Sequence, residues 1–287
     1  MPNIIEVQNL KKQYPNFALS EISFSLEEGN IMGLIGENGA GKTTTLKAML
    51  GLIQKDGGSV RLLGKELCTQ NKREIFEQIG VVFEQAGFHD SLRAPQISAI
   101  LANTYKNWDK ALFDRYLCRF SLPLDKPIKH FSTGMKRKLA LGAALSHHPK
   151  LLILDEATSG LDPIVREEFL DIFLEFIQRE ECAILISSHI TSDLDKIADN
   201  ITFLHQGHLV FSKNKDMLLE EMGVLKCPLS QLSNLPKDQA VRYRKNQFGA
   251  EVLLTDKKKF LQENPSAIVD PVSTEEIMLF YARGQAL

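Results

Sequence analysis

The sequence predicts an α/β fold: a mainly parallel β-sheet covered on both faces, an antiparallel β segment beside it, an α-helical segment inserted in it, and a small C-terminal domain. Three observations predict this. Short, largely apolar runs at Ile31–Ile35, Leu151–Leu154 and Ala183–Ser187 alternate with longer amphipathic stretches, and strands apolar on both faces need cover on both faces. Near the N-terminus the pattern is instead an apolar/polar alternation with turn formers between, the mark of half-exposed antiparallel strands. The length of 287 residues suffices for a large core plus an appendage, and 44% hydrophobic with 24% charged residues is ordinary for a globular chain.

Taken in order, residues 3–7 and 19–26 read as short antiparallel strands and Ile31–Ile35 as a buried one. Gly36–Gly41 follows as a glycine-rich turn, and a helical pattern runs from Lys42 through Leu50. Gly57-Gly58-Ser59-Val60 and Leu63-Gly64 mark a further turn-rich β segment continuing the first small sheet. The pattern is mostly helical from about Pro95 to Ala144, broken by Pro123 and Pro127; the helical subdomain is placed at about 86–146. Leu151–Leu154 and Ala183–Ser187 flank the helical stretch Pro163–Arg179, and a hairpin is expected around Gln206-Gly207. Beyond about Lys213 the chain is more charged, with scattered prolines. The expected division is therefore a main domain over 1–216 and a small accessory domain over 217–287, ending in an amphipathic helix at Thr274–Tyr281.

Bulk properties exclude some functions. Lys and Arg total 34 against 36 Asp and Glu, which is not the uniformly basic surface of a protein that grips nucleic-acid backbone. Cys68, Cys118, Cys182 and Cys227 are far apart and lack metal-ligand spacing, so they read as incidental thiols of a reducing compartment. No apolar run approaches the roughly 20 residues that cross a bilayer. Met1–Glu6 lacks a secretory layout, so a cytoplasmic location is expected.

The chemistry is concentrated in two places. Gly36-Glu37-Asn38-Gly39-Ala40-Gly41-Lys42-Thr43 fits G-x-x-x-x-G-K-[ST] between a predicted strand and a predicted helix. Glycines let backbone N–H groups turn inward around phosphate oxygens, and the helix N-terminus adds its positive dipole end. Lys42 is expected at the β- and γ-phosphates, the Thr43 hydroxyl on Mg²⁺ and Thr44 at the α-phosphate. A glycine-rich turn alone leaves the lysine unexplained. Leu151–Leu154 then runs into Asp155 and Glu156, which strand geometry would point to opposite sides. Asp155 is expected to hold Mg²⁺ and Glu156 to polarise the attacking water.

Between these sites, Phe131-Ser132-Thr133-Gly134-Met135-Lys136-Arg137 resembles the LSGGQ signature of ABC-transporter ATPases, matching at Ser132 and Gly134 and departing at Phe131, Thr133 and Met135. Gln85 resembles the Q-loop glutamine, Ser159-Gly160-Leu161-Asp162 the D-loop, His189 the switch histidine and Tyr14 the aromatic that stacks on adenine. The resemblance covers roughly residues 3–212. It implies a P-loop NTPase core of RecA-like type, ATP and Mg²⁺ as cofactors, and ATP hydrolysis coupled to transport. It also implies catalytic roles for Lys42, Gln85, Glu156 and His189, and Mg²⁺ contacts from Thr43, Gln85 and Asp155. Ser132 and Gly134 would serve the nucleotide of a second ATPase subunit, identical or closely related. The implied partners are that subunit and separate integral membrane permease subunits, at the cytoplasmic face of the membrane and with no nucleic acid. The Ser-Thr-Gly-Met-Lys form is similar to that of bacterial drug and antimicrobial-peptide export systems; uptake and sodium or lipid export stay open. Chromosome-maintenance and translation-associated ABC ATPases typically carry a long coiled coil or a second ATPase domain, and this sequence has neither. A GTPase would need Asn-Lys-x-Asp, whereas Asn71-Lys72-Arg73-Glu74 ends in the wrong residue.

Overall fold

A computed structural model of the chain describes residues 2–84 and 87–287. Strands β1 (Asn3–Tyr14) and β2 (Phe17–Glu27) form a long antiparallel hairpin. Alternation alone predicts strands over 3–7 and 19–26. They run further because a register shift between Val7 and Leu10, with Asn9 at φ 49°, absorbs the break in alternation and returns Leu10 to the core. Next come β3 (Ile31–Ile35), α1 (Lys42–Met49), β4 (Gly57–Leu62), β5 (Lys65–Glu66), α2 (Lys72–Phe76) and β6 (Ile79–Val82). Helices α3 (Ala94–Thr104), α4 (Lys110–Arg119) and α5 (Thr133–Leu145) fill the segment where the sequence is mostly helical. The chain then alternates β7 (Leu151–Asp155), α6 (Pro163–Ile177), β8 (Ala183–Ser188) and α7 (Thr191–Ile197), and closes with the hairpin β9 (Asn200–His205) and β10 (His208–Asn214).

These strands make a ten-stranded sheet in the order β5-β4-β1-β2-β10-β9-β3-β8-β7-β6. From β9 to β6 the neighbours pair in parallel. At the other end β4, β1 and β2 are antiparallel. The buried strands divide their side chains with period two. Leu152 and Leu154 of β7, with Ile184 and Ile186 of β8, enter one core with the helical segment. Leu151, Ile153, Ala183 and Leu185 enter the other, under α1 and the antiparallel strands. Phe113, Phe169 and Phe173, among the largest fully buried side chains, anchor the helical side.

The rest of the chain supplies α8 (Lys215–Glu221), β11 (Gly223–Cys227), β12 (Ala240–Asn246), β13 (Gly249–Leu254), α9 (Lys257–Glu263), β14 (Val269–Asp270), α10 (Thr274–Arg283) and β15 (Gln285–Ala286). Its strands form a second, five-stranded antiparallel sheet in the order β14-β11-β13-β12-β15. One face carries a small core of its own around Val252, Leu254 and Phe260. Val224 and Leu253 point the other way, and with Val272, Ile277 and Phe280 they join the same core as the helices of the larger part. Helix α10 starts with a capping box in which Ser273 and Glu276 satisfy each other's backbone N–H groups.

Candidate active site

Strands β3, β8 and β7 are adjacent and parallel, so the loops leaving their carboxyl ends converge at one edge of the sheet, where α/β folds bind their ligands. The loop after β3 is the glycine-rich segment. Gly39 and Gly41 stand at φ 84° and 109°, values that L side chains rarely adopt. A Cβ on Gly41 would also lie 2.6 Å from Leu19 Cδ2, so this turn needs glycine for space as well as for φ. The loop closes with Ala40 N–H donating to the Glu37 carbonyl (3.0 Å), and its end becomes the N-terminus of α1.

A cavity of about 670 Å³ opens here, lined by Glu37 to Thr44 of the loop together with Phe17, Glu84, Glu156, Ser159 and His189. Lys42 is buried, and its Nζ donates to the Gly36 carbonyl (2.8 Å) and the Glu37 carbonyl (3.3 Å) and lies 3.3 Å from Glu156 Oε1. The other oxygen of that carboxylate, Oε2, is 2.7 Å from His189 Nδ1. Glu156 therefore bridges the phosphate-loop cation and the histidine that follows β8.

Asp155 takes different partners. It is buried, and its Oδ1 accepts from the Ser187 hydroxyl (2.6 Å) and from the Thr43 hydroxyl (3.1 Å). Ser187 Oγ in turn accepts from the Glu156 backbone N–H at 3.1 Å. The two carboxylates do not face opposite sides as strand geometry would have it. β7 ends at Asp155, and Glu156 adopts φ 52°, which swings its side chain back into the same site. Thr43 Oγ1 and Asp155 Oδ1 together offer the hard oxygen donors that suit Mg²⁺.

Glu37, Asn38, Gly39, Ala40, Gly41, Lys42, Thr43 and Thr44 form one continuous wall, the Gly36 carbonyl accepts from Lys42 Nζ at the start of the loop, and Asp155, Glu156 and His189 stand beside it. Gln85 lies outside the described residues. Tyr14 is not among the residues lining the cavity; it is part exposed at the end of β1 with Lys12 Nζ 5.4 Å from its ring centre, and its hairpin partner Phe17 lines the cavity instead. Ser132 and Gly134 lie away from the cavity walls. Ser132 caps α5, its hydroxyl accepting from the Met135 N–H at 3.2 Å, which presents a helix N-terminus at the surface.

Sequence reasoning passed over several residues, among them Ser187, Phe17 and Arg137. Ser187 faces Asp155 across the β7–β8 ladder, and the polar end of an otherwise apolar run was its only signal. Phe17 had no signal beyond following a Pro-Asn turn. Arg137, in the signature segment, is buried, with no hydrogen-bond partner for its Nε or Nη1 among the described residues. Burial holds its pKa below the ordinary guanidinium value, opposed by the charges of Glu84 and Glu156.

Comparison with known proteins bears on the family and the fold. Residues 19–159 match the family model described as ABC transporter. The chain is 36% identical over 213 residues to the bacitracin transport ATP-binding protein BcrA of Bacillus licheniformis, covering 73% of this chain and 69% of that protein. It is also 36% identical over 216 residues to the lantibiotic transport ATP-binding protein SrtF of Streptococcus pyogenes, covering 74% of this chain and 92% of that protein. Among solved structures, the ATP-binding subunit of an ABC transporter superposes with a TM-score of 0.69 at 28% identity, over 76% of this chain and 92% of that one.

Proposed function

The chain belongs to the ATP-binding proteins of the ABC transporter family, and from its site we propose that it powers the export of an antimicrobial or other amphipathic peptide through separate membrane subunits. It is an ATPase, as the family is, and its partners in transport are membrane permeases. The peptide cargo rests on similarity to BcrA and SrtF, which are named for bacitracin and lantibiotic transport. No helix among the described residues is long and apolar enough to cross a membrane.

The observation that carries the mechanism is the Glu156 carboxylate held between Lys42 and His189. A bound triphosphate would give the Lys42 ammonium anionic oxygens in place of Glu156 and its two carbonyl partners. Glu156 is then released to accept a proton from water while His189 fixes its orientation. The water oxygen bonds to the γ-phosphorus, the bond from that phosphorus to the β–γ bridging oxygen breaks, and ADP and phosphate leave. Thr43 and Asp155 would hold Mg²⁺, which supplies charge neutralisation on the phosphates. Ser132 and Gly134, at their surface helix end, would close over the nucleotide of a second subunit, so that ATP joins two chains and hydrolysis parts them. The apolar groove lined by Phe83, Phe88, Leu101 and Tyr105 on the helical side is where a membrane subunit would dock.

Light scattering of Glu156→Gln protein with and without Mg·ATP tests this reading, alongside turnover of the unaltered chain. We expect an ATP-dependent dimer and a turnover reduced about 10²–10⁴-fold by the substitution. ATP bound by a protein that stays monomeric would remove the self-paired arrangement. Undiminished turnover would remove Glu156 as the base.

A further inference from the structure

We propose that Tyr281, in the last turns of α10, is a positioning residue for the nucleotide site, acting through His205 on Glu37 of the phosphate loop. The inference rests on that loop binding ATP as set out above.

The contacts form an unbroken chain. Glu37 lines the nucleotide cavity, and its backbone carbonyl already accepts from Lys42. Its carboxylate Oε1 lies 3.2 Å from Nδ1 of His205, the last residue of β9. The His205 ring has Tyr281 beside it, with ring centres 6.3 Å apart at 61°. Tyr281 also meets Phe203 edge to face at 5.2 Å, which fixes its position against β9. From the other side Arg242 of β12 places its guanidinium 4.7 Å from the Tyr281 ring centre and donates to the Tyr281 and Gly284 carbonyls (3.1 and 3.2 Å). The opposite end of α10 is tied down by the buried Thr274 hydroxyl donating to Asp195 of α7 at 2.7 Å. The C-terminal helix is thus clamped at both ends while its aromatic ring backs the histidine.

The loop itself is tight against the same strand. A Cβ on Gly36 would fall 2.4 Å from the Leu204 carbonyl oxygen, and Gly207 N–H donates to the Ala40 carbonyl at 3.0 Å. His205 sits between these two contacts. With its partner in place, the Glu37 carboxylate is engaged at the side of the cavity. Without it, a free carboxylate would border a site built for phosphate and weaken anion binding there. Coupling of this kind travels through packed side chains in direct contact, and each step of this path is one.

The test uses the full chain, with a fluorescent ATP analogue and Mg²⁺ for binding and steady-state assays for turnover. Tyr281→Leu is expected to weaken analogue binding and raise KM about 5-fold or more, with kcat held within about two-fold. Tyr281→Phe keeps the ring and should bind as the parent does. In a Glu37→Gln background, Tyr281→Leu should have no further effect, because the charge it would release is gone. His205→Leu should reproduce the loss with α10 untouched, so an unfolded Tyr281→Leu protein would not end the test. Unchanged binding in His205→Leu, or an equal loss with and without Glu37, would overturn the inference and leave the ATPase reading standing. A parent chain that bound no nucleotide would overturn both.

Discussion

Glu156 shows how much a single backbone angle decides. At φ 52° its carboxylate turns toward Lys42 and His189, whereas an extended residue at that place would point away from the site that Asp155 serves. Gly41 carries the matching constraint on the opposite wall. Gly41→Ala is expected to cost about 1–3 kcal/mol from its φ of 109° alone. The added methyl also meets Leu19 and Phe17, so analogue binding should fall together with the urea midpoint. If the midpoint drops and binding does not, the loop is less rigid than its contacts require. Lys42, Thr43, Asp155 and Glu156 were legible in the sequence because they follow or end predicted strands, and strand ends of a parallel sheet meet; His189 was marked only by its resemblance to the switch histidine. Ser187, Phe17 and His205 were not, since each acts across the sheet or hairpin, on residues 20 to 168 positions away: Phe17 against the loop, Ser187 on Asp155, His205 on Glu37.

Among the elements, the buried strands β3, β7 and β8 were legible with nearly correct bounds, since short, largely apolar runs bounded by turn formers leave few alternatives, whereas the parallel strand β6, four residues interrupted by Gly80, was not. The C-terminal strands were not. β12 reads Arg242-Tyr243-Arg244-Lys245, and β14 and β15 are two residues each, so neither alternation nor length marks them. The junction after α5 carries a buried titratable group with a consequence for pH. His147 is buried, with its ring stacked on Tyr105 at 4.0 Å and 15° and its Nε2 3.2 Å from the Ile79 carbonyl. Burial pushes its pKa below the ordinary 6.5. The unfolded chain then takes up a proton near that pH while the folded one does not, so the stability His147 contributes is present above pH 6.5 and is lost as the pH falls below it. Urea midpoints between about pH 5 and 8 should show this decline, and His147→Phe should flatten it. A slope unchanged by the substitution would assign the acid sensitivity to other groups.

At the scale of the whole molecule, the ten-stranded sheet is joined across its middle by little backbone. β2 and β10 meet at the single pair His208 and Ser20, with Ser20 N–H donating to the Gly207 carbonyl at 2.9 Å. The antiparallel side, bearing Phe17, and the parallel side, bearing the carboxylates, are therefore held together mainly by apolar packing and by the phosphate loop between them. Hydrogen exchange should find the Ser20 amide less protected than the amides of β3 and β8, and nucleotide should raise its protection more than theirs. Equal protection throughout would mean that the sheet behaves as one plate.

The apolar face shared by the second sheet and the helices bears on how the protein can be shortened. Cutting the chain after residue 216 looks like a tidy way to isolate the ATP-binding part, because no nucleotide motif follows. The cut would remove Leu218, Met222, Val224, Leu253, Val272, Ile277 and Phe280 from a core they occupy jointly with α6 and α7, baring oily surface to water. Such a fragment should appear in the insoluble fraction on expression, or as large particles in solution. Trimming for crystallisation or reconstitution is better done by changing exposed side chains such as Phe248 and Ile268, which stand 88% and 79% open to solvent, than by taking the tail away.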